Sequence, residues 1–286
     1  METTRSPSKE NKLKIFISVD MEGISGIVHG IQTGQDQLDY GKGRTLMVGD
    51  VNAAIDGVLE YADAEITVAD GHGGMKNIQP QDLRSVATLV RGTPKPLSQM
   101  AGIDESYDAA LFIGYHSMKG TLHGIISHTF SGRTIHSLVV NGHEIGETAM
   151  NAAIAGYYQV PLVFVSGDLA VTREAKKINP NITTVAVKEA IGRTSAKCIH
   201  PEIARNRIQN GVAAALKQRK TIDPFTFQPP IKMQVTYTNA LLADAVEFMP
   251  SAKRKNGRTI EFVLDDYLKA FGAFRASVYI ASAVAR

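Results

Sequence analysis

Four short apolar runs in the first 170 residues stop at the same kind of place. Leu13-Lys-Ile-Phe-Ile17 runs into Ser18-Val-Asp-Met-Glu-Gly-Ile-Ser-Gly26, and Glu65-Ile-Thr-Val-Ala69 is closed by Asp70-Gly-His-Gly-Gly74. Ala109-Ala-Leu-Phe-Ile-Gly-Tyr-His116 stops on a histidine, and Pro161-Leu-Val-Phe-Val-Ser-Gly-Asp168 on Gly-Asp. Such runs read as strands, and the two that are apolar throughout read as buried on both faces. Between the first two, Leu46, Val51, Ala54, Ile55, Val58 and Leu59 form an apolar stripe that predicts a helix over 43–61. A second helix is predicted over 144–155, ahead of the fourth run. Strands alternating with helices require right-handed crossovers and a parallel sheet. The class is therefore α/β, with a mostly parallel central sheet flanked by helices.

The connecting segments carry weaker signals. Val86–Val90 is a further strand, and Ile125-Ile-Ser127 and 135–140 are short strand-like runs about the turn at Ser131-Gly-Arg133. A helix over 170–177 and a strand over 183–187 follow. Beyond them come a long helix over 201–220, a proline-rich connection over 224–230 and an alternating strand over 231–237. Helices over 240–248 and 263–285 then enclose a short strand at 259–263. This predicts a polar tail at 1–13, a metal-binding catalytic α/β domain at 14–195 and a smaller C-terminal α/β unit at 196–286.

Composition narrows the function. A formal charge of +3 on 286 residues, without a basic stripe interleaved with aromatics, argues against nucleic acid. The Lys253–Arg258 cluster reads as a solvated loop. The polar start is neither secretory signal nor anchor, and no stretch is apolar enough to span a bilayer, so the expectation is a cytoplasmic protein. Cys198, the only cysteine, excludes an internal disulfide and a thiolate zinc cage and reads as a small buried residue. A metal site must then be built from His, Asp and Glu.

Those residues sit at the strand ends. Asp20 and Glu22, two apart, fall on the same side of an extended chain, and Gly23 and Gly26 let the backbone turn just beyond them. His72 and His116 also follow strands, and the carboxyl ends of parallel strands converge on one edge. With Glu147 at the start of the second helix, five ligands meet there. One catalytic zinc keeps three protein ligands, so five suit two metals sharing a carboxylate, with Asp20 the bridging candidate. Mixed imidazole and carboxylate ligation favours Zn2+, two per chain, with Mn2+ or Co2+ as alternatives. His128 is the candidate acid/base in the same pocket. His29, His123, His136, His143 and His200 read as structural or surface residues.

These segments resemble a known family. Ser18–Gly26, Asp70-Gly-His72, Gly114-Tyr-His116, Ser127-His128 and Gly142-His-Glu-Ile-Gly-Glu147 are similar in order and spacing to the D-aminopeptidases of the dipeptide-operon type. Ala155-Gly-Tyr-Tyr158, Ser166-Gly-Asp168 and Val185-Ala-Val-Lys188 extend the similarity over most of 14–286. The resemblance implies a dinuclear zinc aminopeptidase that removes the N-terminal D-residue from short peptides through a metal-bridged hydroxide. It implies Asp20, Glu22, His72, His116 and Glu147 as ligands and His128 as the catalytic histidine. It also implies a homodecamer of two pentameric rings. The alternatives are a metal-dependent amidase on another linkage, such as cell-wall γ-glutamyl peptides, a metal-dependent phosphoesterase, or a non-catalytic peptide-binding ring. No evident arginine clamp for phosphate accompanies the motifs.

Overall fold

In the computed structural model, which describes residues 12–285, the chain builds two sheets. The first is assembled from β1 (Leu13–Val19), β2 (Ala64–Asp70), β3 (Ala87–Val90), β4 (Ala109–Tyr115), and later from β7 (Leu162–Asp168), β8 (Thr183–Gly192) and β9 (Ser195–Cys198). Before β7 the chain leaves this sheet to make β5 (Ile135–Val140) and β6 (His143–Glu144), which join β10 (Ile231–Tyr237), β11 (Lys253–Arg254) and β12 (Thr259–Leu264) in an antiparallel second sheet. The helices are α1 (Tyr40–Tyr61), α2 (Glu147–Tyr157), α3 (Leu169–Ile178), α4 (Pro201–Lys217), α5 (Ala240–Val246) and α6 (Tyr267–Val284).

Strand order in the first sheet is β3-β2-β1-β4-β7-β8-β9, parallel except for the β8–β9 hairpin. From β1 the chain moves outward through β2 and β3, then returns to pair β4 on the other side of β1. The β1/β4 boundary is thus the topological switch point, where crossovers on opposite faces open a crevice outside the carboxyl ends. β4 is buried at every position, as its unbroken apolar run requires. Burying Leu111, Phe112 and Ile113 stabilises the fold by about 1.5–3 kcal/mol each. Helices α1 and α4 pack on each other over one face, and α2 and α3 line β7 and the strands beside it.

The two strands at the switch point come unusually close. Gly23 donates its N–H to the Gly114 carbonyl at 2.8 Å, and a Cβ on Gly23 would overlap the Gly114 and Tyr115 backbone. Gly114 itself has φ +71, a conformation that favours glycine.

Most predicted elements appear within a few residues of their expected limits, and the differences have local causes. Ile125-Ile-Ser127 is a turn, with Ile126 at φ +48 and its N–H donated to the Arg193 carbonyl. Ile125 and Ile126 are buried although they lie in a turn, so apolarity alone misled. Strand β8 runs on to Gly192 and turns back as β9, through residues too polar to read as strand. Cys198, expected to be buried, is exposed at the end of that hairpin. Leu13 already belongs to β1, and residues 1–11 of the expected tail lie outside the described residues. The segments 14–195 and 196–286 interleave in space. β5 and β6 complete the second sheet, while α4 packs on α1 and on β7 and β8 of the first.

Candidate metal centre

Six predicted site residues, the five candidate ligands and His128, meet at the β1/β4 crevice in two groups: Asp20, Glu22 and His72, and His116, His128 and Glu147. The pairing register brings them there, with Val19 beside Asp70 on one flank and Ile113 on the other. Asp20 follows Val19 with its N–H held by the Ile113 carbonyl at 2.9 Å. Asp20 lies between the groups, with Oδ1 3.2 Å from His72 Nδ1 and Oδ2 3.4 Å from His116 Nε2. Glu22 Oε2 is 3.0 Å from His72 Nδ1, and Glu147 Oε1 is 3.4 Å from His116 Nε2. His128 Nε2 stands farther out, 3.8 Å from Glu147 Oε1, with its ring stacked on His116 at 4.1 Å.

Each imidazole has one nitrogen committed elsewhere. His72 Nε2 lies 3.0 Å from the Thr33 carbonyl, His116 Nδ1 2.9 Å from Ser117 O, and His128 Nδ1 2.9 Å from Ile126 O. A carbonyl can only accept, so that nitrogen carries the proton and the neutral ring turns its lone pair toward the carboxylates. Two lone pairs facing each other require a cation between them. The buried Glu22 Oε2 and His116 Nε2 have no hydrogen-bond partner, although His72 Nδ1 lies close to the former. Asp20, Glu22 and Glu147 are buried, and among the described residues none pairs with lysine or arginine. Uncompensated buried carboxylates are costly. Donor separations of 3.0–3.4 Å also match the edge of a tetrahedron, about 3.3 Å for ligands 2.0–2.1 Å from zinc. The residues fit zinc, in two adjoining groups.

Without a metal, protons take that role. Burial works against charge on His72, but Glu22 and Asp20 outweigh it and hold the imidazole well above its ordinary range. Burial likewise opposes charge on His116, and Asp20 and Glu147 raise it well above normal. Asp20 is pushed up by burial and pulled further down by His116 and His72, to well below the usual carboxylate value. Glu147 is lowered too, His116 outweighing burial.

Residues to which the sequence assigned no role in the site hold the candidate ligands. Lys188, buried on β8, donates to the carbonyls of Glu22, Ile24 and Ile27, and Asp50 accepts from the N–H and hydroxyl of Ser25. These pin the loop after β1. Asp70 is no ligand: it accepts from the N–H groups of Asn77 and Ile78 and the Asn77 amide, shaping the loop that carries His72. Gln99 donates to Glu147 Oε2 at 2.7 Å and accepts from Asn151, which also donates to Tyr115 Oη. Phe130 N–H donates to Glu147 Oε1 at 2.6 Å. Lys188 and Asp70 stand in the quoted motifs, and Asn151 lies one helical turn beyond Glu147; Gln99 comes from a 3-10 turn that carried no signal. The five remaining histidines are exposed, as expected.

The cleft over the centre has a volume of about 130 Å³ and is bordered by Asp20, His72, His128 and Glu147 among others. Met75, Ser98 and Phe130, at φ +54, +51 and +55, border it as well. Such non-glycine conformations cost about 1–3 kcal/mol each and cluster at ligand sites.

A family model described as D-aminopeptidase matches residues 13–276. The chain belongs to the D-aminopeptidase family. A D-aminopeptidase from Bacillus subtilis is 34% identical over 264 residues, covering 91% of this chain and 95% of that protein. Among solved structures, the Zn-dependent D-aminopeptidase DppA from Bacillus subtilis, a self-compartmentalizing protease, superposes with a TM-score of 0.93 at 32% identity. The match covers 96% of this chain and 100% of that one. The D-aminopeptidase fold is thus shared along almost the whole chain, second sheet included. Among the described residues no helix is long and apolar enough to cross a membrane.

Proposed function

We propose that this protein is a zinc-dependent D-aminopeptidase that hydrolyses the N-terminal D-residue from short peptides. The observation that carries this reading is Asp20, whose two oxygens face two different histidines and so link two ligand groups into one centre. Family membership and the zinc dependence of DppA support it. Glu22 and His72 would complete one site and His116 and Glu147 the other, with two ions per chain. Bound zinc supplies Lewis acidity for the scissile carbonyl and brings the pKa of water toward neutrality.

The chain's own groups do the rest. His128 is the proton carrier: the Ile126 carbonyl fixes the proton on Nδ1, which leaves Nε2 free at the cleft to accept a proton and return it to the leaving amine. The His116 ring beneath it holds the plane. Gln99 and the Phe130 N–H fix both Glu147 oxygens, so that carboxylate needs no reorganisation during turnover. All these ligands fall within 14–195, which we take as the catalytic part of the chain. The self-compartmentalizing description of DppA supports assembly into a homo-oligomer, and two rings of five is the arrangement we propose.

Elemental analysis of wild type and Asp20→Ala, with assays on matched D- and L-aminoacyl peptides, tests this. The expected result is about two zinc ions per chain, falling sharply in the variant, and D-selective release of the first residue. Absence of bound metal, with no gain in thermal stability on adding zinc, would overturn it.

A further inference from the structure

One wall of the cleft is made by residues with no part in holding metal. Arg275, in the third turn of α6, borders it. Its guanidinium carbon lies 5.5 Å from the centre of the Phe130 ring and 5.0 Å from that of Tyr279. One amino nitrogen donates to Tyr279 Oη at 3.2 Å. Phe130 packs edge-on against Phe274 and gives its backbone N–H to Glu147, so the residue beneath the guanidinium also holds a carboxylate of the centre. Among the described residues Arg275 forms no ion pair, and that single hydrogen bond leaves four of its five donors free. Two rings thus hold a cation at the cleft with most of its donors unused. Ser98, buried with no partner for its hydroxyl, borders the same space.

A peptide cut after its first residue brings three polar features to such a cleft: the amine, the scissile carbonyl and, when the peptide is short, a carboxylate one residue beyond. A residue spans at most about 3.3–3.6 Å of extended chain, and a cleft of about 130 Å³ leaves little room for more. The planar, preoriented guanidinium matches a carboxylate with two parallel hydrogen bonds. We propose that Arg275 is a specificity residue that binds the C-terminal carboxylate of a dipeptide whose scissile bond lies over the Asp20 centre. This deepens the aminopeptidase reading and rests on it.

The test compares D-alanylglycine with D-alanylglycinamide on the zinc-loaded enzyme. In wild type the amide, which lacks the negative charge, should show a KM roughly 10- to 100-fold higher at similar kcat, the size expected for a lost charged hydrogen-bond pair. Arg275→Met should bring the two KM values together, and Arg275→Lys should restore part of the gap. Hydrolysis of both peptides by wild type at equal KM would overturn the carboxylate anchor and leave the aminopeptidase reading standing. So would a gap that persists undiminished in Arg275→Met. No hydrolysis of either peptide would overturn both. Equal KM values in wild type overturn the anchor even where the variant folds poorly.

Discussion

The two halves of the candidate metal centre are built by different means. Asp20, Glu22 and His72 come from loops that leave adjacent parallel strands, and buried groups tie those loops down from below: Lys188 and Asp50 for the first, Asp70 for the second. His116, His128 and Glu147 come from the end of β4, an irregular turn and the first residue of α2. They are held by side-chain contacts that cross the molecule, Gln99 and Asn151 above all, and by stacking of the two rings. The first half is a backbone device and the second a side-chain device. Damage should therefore reach them by different routes.

The largest separation comes at His128. Replacing it with Ala should lower kcat by about 10²–10⁴-fold, the range for a general acid/base, with zinc content unchanged. Loss of one zinc equivalent instead would make His128 a ligand of the second half.

Removing the anchor of the first half comes next. Lys188→Met leaves three buried carbonyls without their donor and should cost about 3 kcal/mol, read as a lower urea midpoint together with weakened zinc retention at the Glu22 site. An unchanged midpoint with full zinc would mean that the loop after β1 holds itself. The matching change in the second half, Gln99→Leu, frees one Glu147 oxygen and should weaken zinc or activity by about 10–100-fold with a smaller stability loss. If Gln99→Leu destabilised the fold more than Lys188→Met, the contrast between the halves would be reversed.

The smallest effect is a pH dependence common to both. In metal-free protein Asp20 titrates well below its ordinary 3.8, and His72 and His116 well above their ordinary 6.5. The carboxylate contribution is present above 3.8 and is lost as pH falls through the lowered value. The imidazolium contributions are complete below 6.5 and are lost as pH rises through the raised values. Metal-free protein should thus lose stability on the alkaline side of neutrality. Zinc needs the same nitrogens unprotonated, so its stabilisation should grow with pH. Melting with and without zinc at about pH 6 and pH 8 should show the gap widening by a few degrees; a gap constant with pH would place the zinc on other groups.

How far the sequence carried differs between these halves for the same physical reason. Asp20, Glu22 and His72 were legible because a strand ending in glycine and paired polar residues is a local pattern, read from neighbours in the chain. His116 and Glu147 were legible from their places after a strand and at the start of a helix, though nothing local brings them to 3.4 Å. His128 was assigned to the pocket through a strand that proved to be a turn with Ile126 at positive φ. Gln99 and Arg275 carried no signal, since each borders the centre through a contact with a residue 48 or more positions away or across a cleft. The exposed Cys198 was misread because burial depends on what covers a strand edge.

By itself, then, the sequence determined the parallel sheet, its polar edge and the chemical kind of ligand gathered there, because periodicity and strand-end glycines are properties of short stretches. Only the tertiary structure decided that Asp20 turns one oxygen to each histidine, which carbonyl holds each imidazole proton, and that an arginine from the last helix, in no ion pair among the described residues, borders the cleft. Those are distances between residues far apart in the chain, and they are set by how the two sheets and their helices pack.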